Sequence, residues 1–329
     1  MLLTLNPYSV KDKVVTSLVK EFLSLLIVFI ALFLFGIYIL RSGLLQVGTT
    51  KIKTILLKTT DSPFKGLIVG ILITMLFQSS SVVTVLLVGL VAASLMKFTH
   101  SIGVILGANI GSCFTLELIA FNVTDFALPL IAIGFICLLF TRSSLYIIGC
   151  VTFGIGCIFL SMNGLETLAE PLRTLPVTEY FFQWTNDHYL AGISVGAIVT
   201  TIIQSSTATI GIAMSFIEGL SLTSESGVAI MLGANIGTCF TAYIASIGAG
   251  KTARLVAHAH IWLNLLGAVL FYPFIEFLAH FSSLLSESPS VQLAHASTIY
   301  NVVCSLLVLP FAGSFARFVQ FFARLEKDR

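Results

Sequence analysis

Long apolar stretches separated by short polar breaks run along most of the 329-residue chain. The first stretch, residues 22 to 40, is long enough for a helix that crosses a bilayer, since about 20 residues span the hydrocarbon core. Residues 66 to 77 and 82 to 94 are shorter arms of roughly 18 to 20 Å each, which falls short of a core of about 30 Å. A polar cluster separates the two arms. The pattern therefore predicts a re-entrant helical hairpin, residues 66 to 94, with the polar cluster at its tip.

This polar cluster occurs twice, 126 residues apart. The first copy reads QSSS and the second reads QSST, and their residues are Gln78, Ser79, Ser80, Ser81, Gln204, Ser205, Ser206 and Thr207. In the same register, GANIGSCFT at 107 to 115 recurs as GANIGTCFT at 233 to 241. Shared apolar composition would not concentrate identities in glycines and polar residues, so the chain contains an internal duplication. Internal repeats with polar interruptions are typical of secondary transporters.

The duplication predicts an all-α polytopic membrane protein built from two repeats. In each repeat we expect a re-entrant hairpin followed by a helix that is broken at the glycines of the GANIG motif. The predicted segments are an interfacial segment 1–21, repeat 1 over 22–161 with hairpin 66–94 and broken helix 101–120, repeat 2 over 162–316 with hairpin 192–220 and broken helix 227–247, and a basic tail 317–329.

Loop charge and the number of crossings both bear on how the repeats are oriented. The broken helix and residues 127 to 141 and 144 to 161 give three predicted crossings between the hairpins, and an odd number inverts the second copy. Residues 51 to 65 hold four Lys and one Asp, whereas residues 164 to 190 hold one Arg and four acidic residues. Opposite charge at corresponding loops indicates opposite sides of the membrane, with the basic loop inside. The lysines of the first 20 residues favour the reverse orientation.

Composition excludes a soluble protein. The chain is 57% apolar and 10% charged, with a mean hydropathy of +1.03, whereas soluble domains carry roughly 25% charged residues. The sequence has no basic stripe interleaved with aromatic residues, so nucleic-acid binding has no support. We expect a multi-pass protein of the cell (inner) membrane, with the lipid bilayer as its surroundings, no organic cofactor and no enzymatic activity. The sequence leaves a homodimer open.

The polar tips suggest an ion-binding chemistry. Helix ends expose free N–H groups that favour anions and free C=O groups that favour cations. Serine hydroxyls and glutamine amides add further donors, so two tips that face each other would surround a small tetrahedral oxyanion without any Lys or Arg. The unwound carbonyls, together with Asn109 and Asn235, would suit a sodium ion.

Three further polar residues lie in apolar segments. Glu117 follows the first GANIG motif and corresponds to Tyr243 in the second repeat. An ionisable residue in a membrane helix is a functional candidate, so Glu117 is a candidate for cation or proton coupling. The alternative is a carboxylate that reaches the membrane interface. His260 and Asn264 lie one turn apart on a helix, which favours hydrogen bonding between helices over substrate contact.

The paired QSSS/QSST and GANIGS/GANIGT motifs resemble those of the sodium-dependent phosphate cotransporter family, which includes the animal type II transporters and shorter bacterial members. FLFGIYILRSGL at 33 to 44 resembles the first helix of that family, and AHIWLNLLG at 259 to 267 resembles its His-x-x-x-Asn-x-x-Gly segment. In the similar stretch HASTIYNVV, Ser297 stands where a second His is expected. The sequence resembles a short member without a PhoU-like domain.

This resemblance implies a sodium-coupled symporter that holds inorganic phosphate between the two Gln-Ser clusters and uses sodium as the coupling ion. One alternative is outward or sodium-independent movement of phosphate. A second alternative, from another class, is an intramembrane serine hydrolase that pairs one of the Ser residues with His260. A nucleophilic Ser normally lies in a glycine-flanked motif with a single base, and a duplicated cluster flanked by Gln does not fit that pattern.

Overall fold

Helices make up nearly all of the described chain. The computed structural model describes residues 7–46, 62–121, 124–140, 142–173 and 175–325, and this part contains fourteen α-helices, three short 3-10 turns and no strand. The α-helices are α1 Pro7–Leu45, α2 Pro63–Phe77, α3 Ser80–Ala92, α4 Phe98–Ala120, α5 Ala127–Leu138, α6 Ser143–Arg173, α7 Pro176–Asp187, α8 Tyr189–Ile203, α9 Ser206–Glu218, α10 Ser224–Ser246, α11 Lys251–Phe271, α12 Ile275–Ser283, α13 Pro289–Val308 and α14 Ala312–Leu325.

Six helical stretches in this part are long and apolar enough to cross a membrane. They are Lys20–Leu45, Phe98–Ala120, Ser143–Ala169, Ser224–Ser246, Lys251–Ser283 and Pro289–Ala323. Many of their large apolar side chains are exposed on the outside of the molecule, as a lipid-facing surface requires. The predicted class, an all-α polytopic membrane protein, is confirmed.

Short helices flank both polar clusters, as predicted. In each repeat the first arm has 15 residues and the second has 13, so the arms are about 22 and 20 Å long. Each pair of arms meets at its Gln-Ser step, between Gln78 and Ser79 and between Gln204 and Ser205. The two arms of a hairpin contact each other less than they contact other helices. The first arm packs mainly on the long helix that follows the hairpin, α2 on α4 and α8 on α10.

The predicted break at the GANIG motifs is wrong, because α4 and α10 run through them as continuous helices. The glycines serve close packing instead. A Cβ atom on Gly107 would overlap the carbonyl oxygen of Leu67 on α2, and one on Gly233 would overlap that of Ile193 on α8. Glycine lets the two backbones touch without unwinding either helix, so the motif places each hairpin against the long helix that follows it.

Helices α1 and α6 form a second close pair. A Cβ atom on Gly36 would lie 2.8 Å from the carbonyl oxygen of Gly154, and one on Gly154 would lie 2.7 Å from that of Gly36. Phe29, which precedes Gly36, faces Gly164, which follows Gly154, so the two helices are antiparallel. The 126-residue register makes α6 the counterpart of α1. Corresponding helices in an inverted repeat are expected to be antiparallel.

Several predicted boundaries differ from the helices. Residues 7–21, predicted to lie along the interface, are the first part of α1, a single helix of 39 residues. The boundary predicted between 161 and 162 lies inside α6, and most of the predicted tail belongs to α14. Helix α5, expected to reach residue 141, has only 12 residues, or about 18 Å. Residues 1–6, 47–61 and 326–329 lie outside the described residues, so most of the basic loop 51–65 is not described.

We predict that Gly107→Ala and Gly233→Ala each destabilise the protein strongly, because the added methyl group would push two helix backbones apart. Overpacking of a well-packed site typically costs about 1 to 3 kcal/mol, and more where backbone must move. The measurement is the thermal unfolding midpoint of purified protein in detergent. Gly89→Ala is the matched control, since nothing lies within 4 Å of its added Cβ atom. Equal midpoints for Gly107→Ala and Gly89→Ala would contradict the proposed packing role.

Candidate functional site

Both hairpins turn at a glutamine with a left-handed backbone. Gln78 has φ 51° and ψ 31°, and Gln204 has φ 61° and ψ 26°. This region is uncommon for residues other than glycine, and such strain clusters at functional sites. The same unusual conformation at both copies means that the duplicated sequence folds into the same turn twice.

The glutamine side chains fix the tips to the helices behind them. Gln78 donates from Nε2 to the carbonyl oxygen of Met75 at 2.6 Å, and its Oε1 accepts a hydrogen bond from Thr115 on α4. Gln204 likewise donates to the carbonyl oxygen three residues earlier and accepts from Thr241 on α10. Sequence reasoning assigned the glutamine amides to the anion, whereas the structure uses one amide N–H and the amide oxygen of each to hold the turn. Thr115 and Thr241 end the duplicated GANIGxCFT motif, which is the signal that could have identified them.

Serine hydroxyls cap the second arm of each hairpin. Ser79 Oγ accepts from the backbone N–H of Val82 at 3.3 Å, and Ser205 Oγ accepts from that of Ala208 at 3.3 Å. The N-termini of α3 and α9 therefore lie at the tips, where backbone N–H groups and the helix dipole favour an anion. The first turns of α3 and α9 carry the other predicted hydroxyls, which make no side-chain hydrogen bond in the described part of the chain: Ser80, Ser81, Ser206 and Thr207.

Arg41 of α1 brings the two tips together. Its Nε donates to the carbonyl oxygen of Gln78 at 2.9 Å, and its Nη2 donates to Ser205 Oγ at 3.2 Å. The two clusters, 126 residues apart in sequence, thus lie within reach of one guanidinium. Sequence reasoning held that an oxyanion needs no Lys or Arg at the tips, and it did not foresee that Arg41 lies there. A single charged residue near the end of a long apolar helix was the available signal.

Most residues of the tips are almost completely enclosed, while Ser81 and Gln204 are half-buried. Gln78 is 5% exposed, Ser80 is 8% exposed and Ser206 is 7% exposed. A polar cluster this deep must have its groups satisfied by protein, water or a ligand. Hydroxyls without a side-chain partner in the described residues, two helix N-termini and a guanidinium are donor groups whose chemistry suits a small oxyanion.

The two GANIG asparagines have different partners. Asn109 donates from Nδ2 to Asn264 Oδ1 on α11 at 2.9 Å, whereas Asn235 donates to the carbonyl oxygen of Met231 in its own helix at 3.0 Å. Hydrogen bonding between helices through Asn264 is confirmed. Both Asn109 and Asn235 are 6% exposed. Their assignment as sodium ligands stays a prediction.

Helices α11 and α13 hold the GANIG helices in the same way. Asn264 of α11 donates to Cys239 Sγ at 3.2 Å, and Asn301 of α13 donates to Cys113 Sγ at 3.3 Å. Cys113 and Cys239 are counterparts in the two repeats, so the Asn of each His-x-x-x-Asn-like segment has an equivalent role. This role survives in α13 although Ser297 replaces the expected His.

Glu117 connects α4 to α13 rather than standing alone. Its Oε1 accepts a hydrogen bond from Thr298 Oγ1 at 2.7 Å and lies 3.1 Å from His295 Nδ1, and its Oε2 is also 3.1 Å from that nitrogen. Both ionisable side chains are about one-quarter exposed, at 25% for Glu117 and 28% for His295. Sequence reasoning missed these partners because they lie 178 and 181 residues further along the chain.

Comparison with known proteins identifies the family. The model of the family described as Na+/Pi-cotransporter matches residues 32–167 and 175–286, a range that includes Arg41, both tips and both GANIG helices. This chain belongs to the Na+/Pi-cotransporter family. It is therefore a member of a family of phosphate transporters, as the paired motifs predicted.

Individual relatives agree with this assignment. An uncharacterized protein, YqeW of Bacillus subtilis, is 37% identical over 298 residues, which cover 90% of this chain and 97% of that protein. The putative inorganic phosphate export protein YjbB of Escherichia coli is 26% identical over 91% of this chain, which spans only 55% of that protein. The sodium-dependent phosphate transport protein 2B of Rattus norvegicus is 35% identical over 45% of this chain and 21% of its own length. No solved structure matches the chain.

The hydrolase alternative finds no geometric support. In the described part of the chain no hydrogen bond joins the imidazole of His260 to a serine of either tip, and its Nδ1 is buried without a partner. The relatives named for an activity are transport or export proteins. A serine nucleophile needs a base within hydrogen-bond reach.

Proposed function

We propose that this protein is a sodium-coupled transporter of inorganic phosphate, a symporter that moves phosphate across the cell (inner) membrane by alternating access. The observation that carries the proposal is the meeting of the two Gln-Ser tips at Arg41, in a chain of the Na+/Pi-cotransporter family. Phosphate is a small tetrahedral oxyanion, and the tips offer hydroxyls and helix N-termini at short range.

The hydroxyls of the two tips have the right chemistry for reversible binding. Ser80 and Ser206 follow the capping serines directly, and neither hydroxyl is used by the protein in the described residues. Hydroxyl protons rotate to suit an oxyanion, and backbone N–H groups at two helix N-termini add donors that keep their direction. In this proposal Gln78 and Gln204 shape the turns, while the hydroxyls of both clusters contact the phosphate.

Sodium is proposed to bind through neutral oxygens beside the tips. Asn109 and Asn235 stay our candidates, because amide and carbonyl oxygens suit a hard cation and because both lie on helices packed against the hairpins. Glu117 is proposed to couple a cation or proton. It sits two residues after Thr115, which holds the first tip, and it has an ionisable partner in His295.

The antiparallel pairing of α1 with α6 supports an inverted repeat. Each of these helices precedes one hairpin in the chain, with α7 between α6 and the second hairpin, and in this proposal the hairpins enter the membrane from opposite sides. Inverted repeats provide two related conformations, and alternating access then follows from moving one half against the other around a fixed site.

Outward movement is the second candidate, because the relative YjbB is named a putative phosphate export protein. The direction of a coupled transporter follows its gradients, and a site made of hydroxyls and one guanidinium does not fix it.

Uptake of radiolabelled phosphate into proteoliposomes tests the function directly. We expect an inward sodium gradient to accelerate uptake, because sodium and phosphate would move together. Equal rates with sodium and with potassium gradients would favour a sodium-independent pathway. Absence of phosphate movement in either direction would contradict the proposal as a whole.

The same assay tests the tips. We expect Ser80→Ala and Ser206→Ala each to raise the half-saturating phosphate concentration by about tenfold or more, since a hydrogen bond to a charged group contributes about 1.5 to 3 kcal/mol. Ser194→Ala is a matched control, because its exposed hydroxyl bonds, within the described residues, only to the Leu190 carbonyl of its own helix. Unchanged half-saturation in both tip variants would remove these hydroxyls from the binding site.

Glu117→Gln tests the coupling role. The amide keeps an acceptor for Thr298 but cannot form an ion pair with His295, so we expect the sodium or pH dependence of uptake to change more than the half-saturating phosphate concentration. Unchanged sodium and pH profiles would return Glu117 to a role in packing α4 against α13.

Single cysteines at Lys58 and Glu179 test the inversion, in a background with the six native cysteines replaced. Lys58 precedes the first hairpin and lies outside the described residues, whereas Glu179 lies in α7, before the second hairpin. We expect a membrane-impermeant thiol reagent to label the two positions from opposite sides. Labelling of both positions from the same side would contradict the inverted arrangement. Labelling from opposite sides, with position 58 on the outside, would change only the absolute orientation.

A further inference from the structure

Arg41 carries a fixed charge whose partners are neutral. Its two hydrogen bonds go to a backbone carbonyl and to a hydroxyl, those of Gln78 and Ser205. Within the described residues no carboxylate pairs with it. A charge held inside a membrane helix bundle is costly unless something of opposite charge compensates it.

The guanidinium also has donors to spare. Arginine carries five N–H groups, and the two bonds to the tips use two of them. Ser205 Oγ accepts from both Arg41 and the backbone N–H of Ala208, so both of its acceptor positions are taken and its own proton is left to donate. Free donors of two residues therefore converge at the point where the tips meet.

We propose that Arg41 is a substrate-binding residue, which binds the transported anion directly and adapts the site to a dianionic tetrahedral oxyanion such as hydrogen phosphate. The inference rests on the proposed function and extends it to the charge of the substrate. Guanidinium is the side chain best suited to bind two oxygens of a phosphate at once.

Arg41 supplies the net positive charge at the tips. The N-termini of α3 and α9 each contribute a partial charge of about +0.5, the C-termini of α2 and α8 end at the same tips and contribute about −0.5 each, and Arg41 adds a full positive charge, for a total of about +1. The counterpart of Arg41 in the second repeat is Thr167, so duplication has not produced a second guanidinium. Hydroxyls come from both repeats, whereas the only full charge at the tips in the described part of the chain comes from α1.

The competing explanation is that Arg41 only holds the two tips together. The two roles of Arg41 are distinguished by how strongly the charge of the bound anion affects binding. Monofluorophosphate is a dianion and difluorophosphate is a monoanion, while both are tetrahedral and close in size to phosphate. Each would be used at one neutral pH to compete with radiolabelled phosphate uptake into proteoliposomes. Arg41→Gln removes the charge, and Arg41→Lys keeps the charge but loses the planar fork. Arg317→Gln is the matched control, because Arg317 is exposed and, among the residues that the structure describes, bonds only to Ser314 on its own helix.

For Arg41→Gln we expect the half-inhibiting concentration of monofluorophosphate to rise about tenfold to a hundredfold, with a much smaller rise for difluorophosphate. Arg41→Lys should bind both analogues more weakly than the native protein and keep the preference for the dianion. Equal rises for the two analogues, or no rise, would show a tether and overturn the proposal.

A variant too slow for uptake is tested by binding instead, through the shift of the unfolding midpoint that each analogue causes in detergent, since a ligand of the native state raises it. A loss of stabilisation that is much larger for monofluorophosphate than for difluorophosphate would support the proposal. Equal losses for the two analogues, or no loss, would overturn it. If the native protein neither transports phosphate nor is stabilised by it, the proposed function fails and this inference fails with it. If the native protein does both and Arg41→Gln keeps the native preference between analogues, only the role of Arg41 fails.

Discussion

A helix that ends inside an apolar layer leaves N–H and C=O groups that lipid cannot satisfy. Two helices of this protein end at the tips, at Gln78 and Gln204, and the rest of the site depends on how their end groups are satisfied. Each glutamine caps a carbonyl of its own first arm, and the next serine caps an N–H of the second arm. The carbonyl of Gln78 is taken by Arg41. What remains free at the tips is a set of hydroxyls and helix N-termini, which is what an oxyanion needs.

Glycine packing keeps this arrangement in place. Because Gly107 and Gly233 allow contact between backbones, the first arm of each hairpin rests directly on a long helix. The threonines that hold the glutamine amides lie on those same long helices, two turns further along. The position of each tip is thus set by a helix pair, and the binding groups need no loop to support them. A site on packed helices is positioned more closely than one on loops.

The two repeats share their scaffold and differ in charge. The left-handed glutamines, capping serines and glycine contacts occur in both halves. Arg41 and Glu117 occur in the first half only, where the second has Thr167 and Tyr243. The duplication explains why both tips carry matching hydroxyls. Because the cation Arg41 and the carboxylate Glu117 occur in the first repeat only, the two repeats differ in role. This difference is compatible with coupling, since an ion-driven cycle must distinguish the substrate from the coupling ion.

Sequence alone determined the class, the duplication and the two Gln-Ser clusters at which short helices stop. Apolar run length is a local property, and the register of 126 residues fixed which residues correspond. It also led to the family, through motifs that occur in pairs. The same reasoning failed at GANIG, because a glycine that breaks a helix and a glycine that admits a neighbouring backbone look alike in one dimension.

Contacts between distant segments were decided only by the tertiary structure. Arg41 and Ser205 are 164 residues apart, and Glu117 and His295 are 178 apart, so no local pattern could pair them. Whether the glutamine amides face an anion or a threonine depends on which helix lies behind the turn, and that follows from the packing of α2 on α4 and α8 on α10. The sequence thus determined which groups are available. The folded structure determined which of them hold the turns and which have no side-chain partner in the described residues, because only packing brings remote segments close enough to satisfy one another.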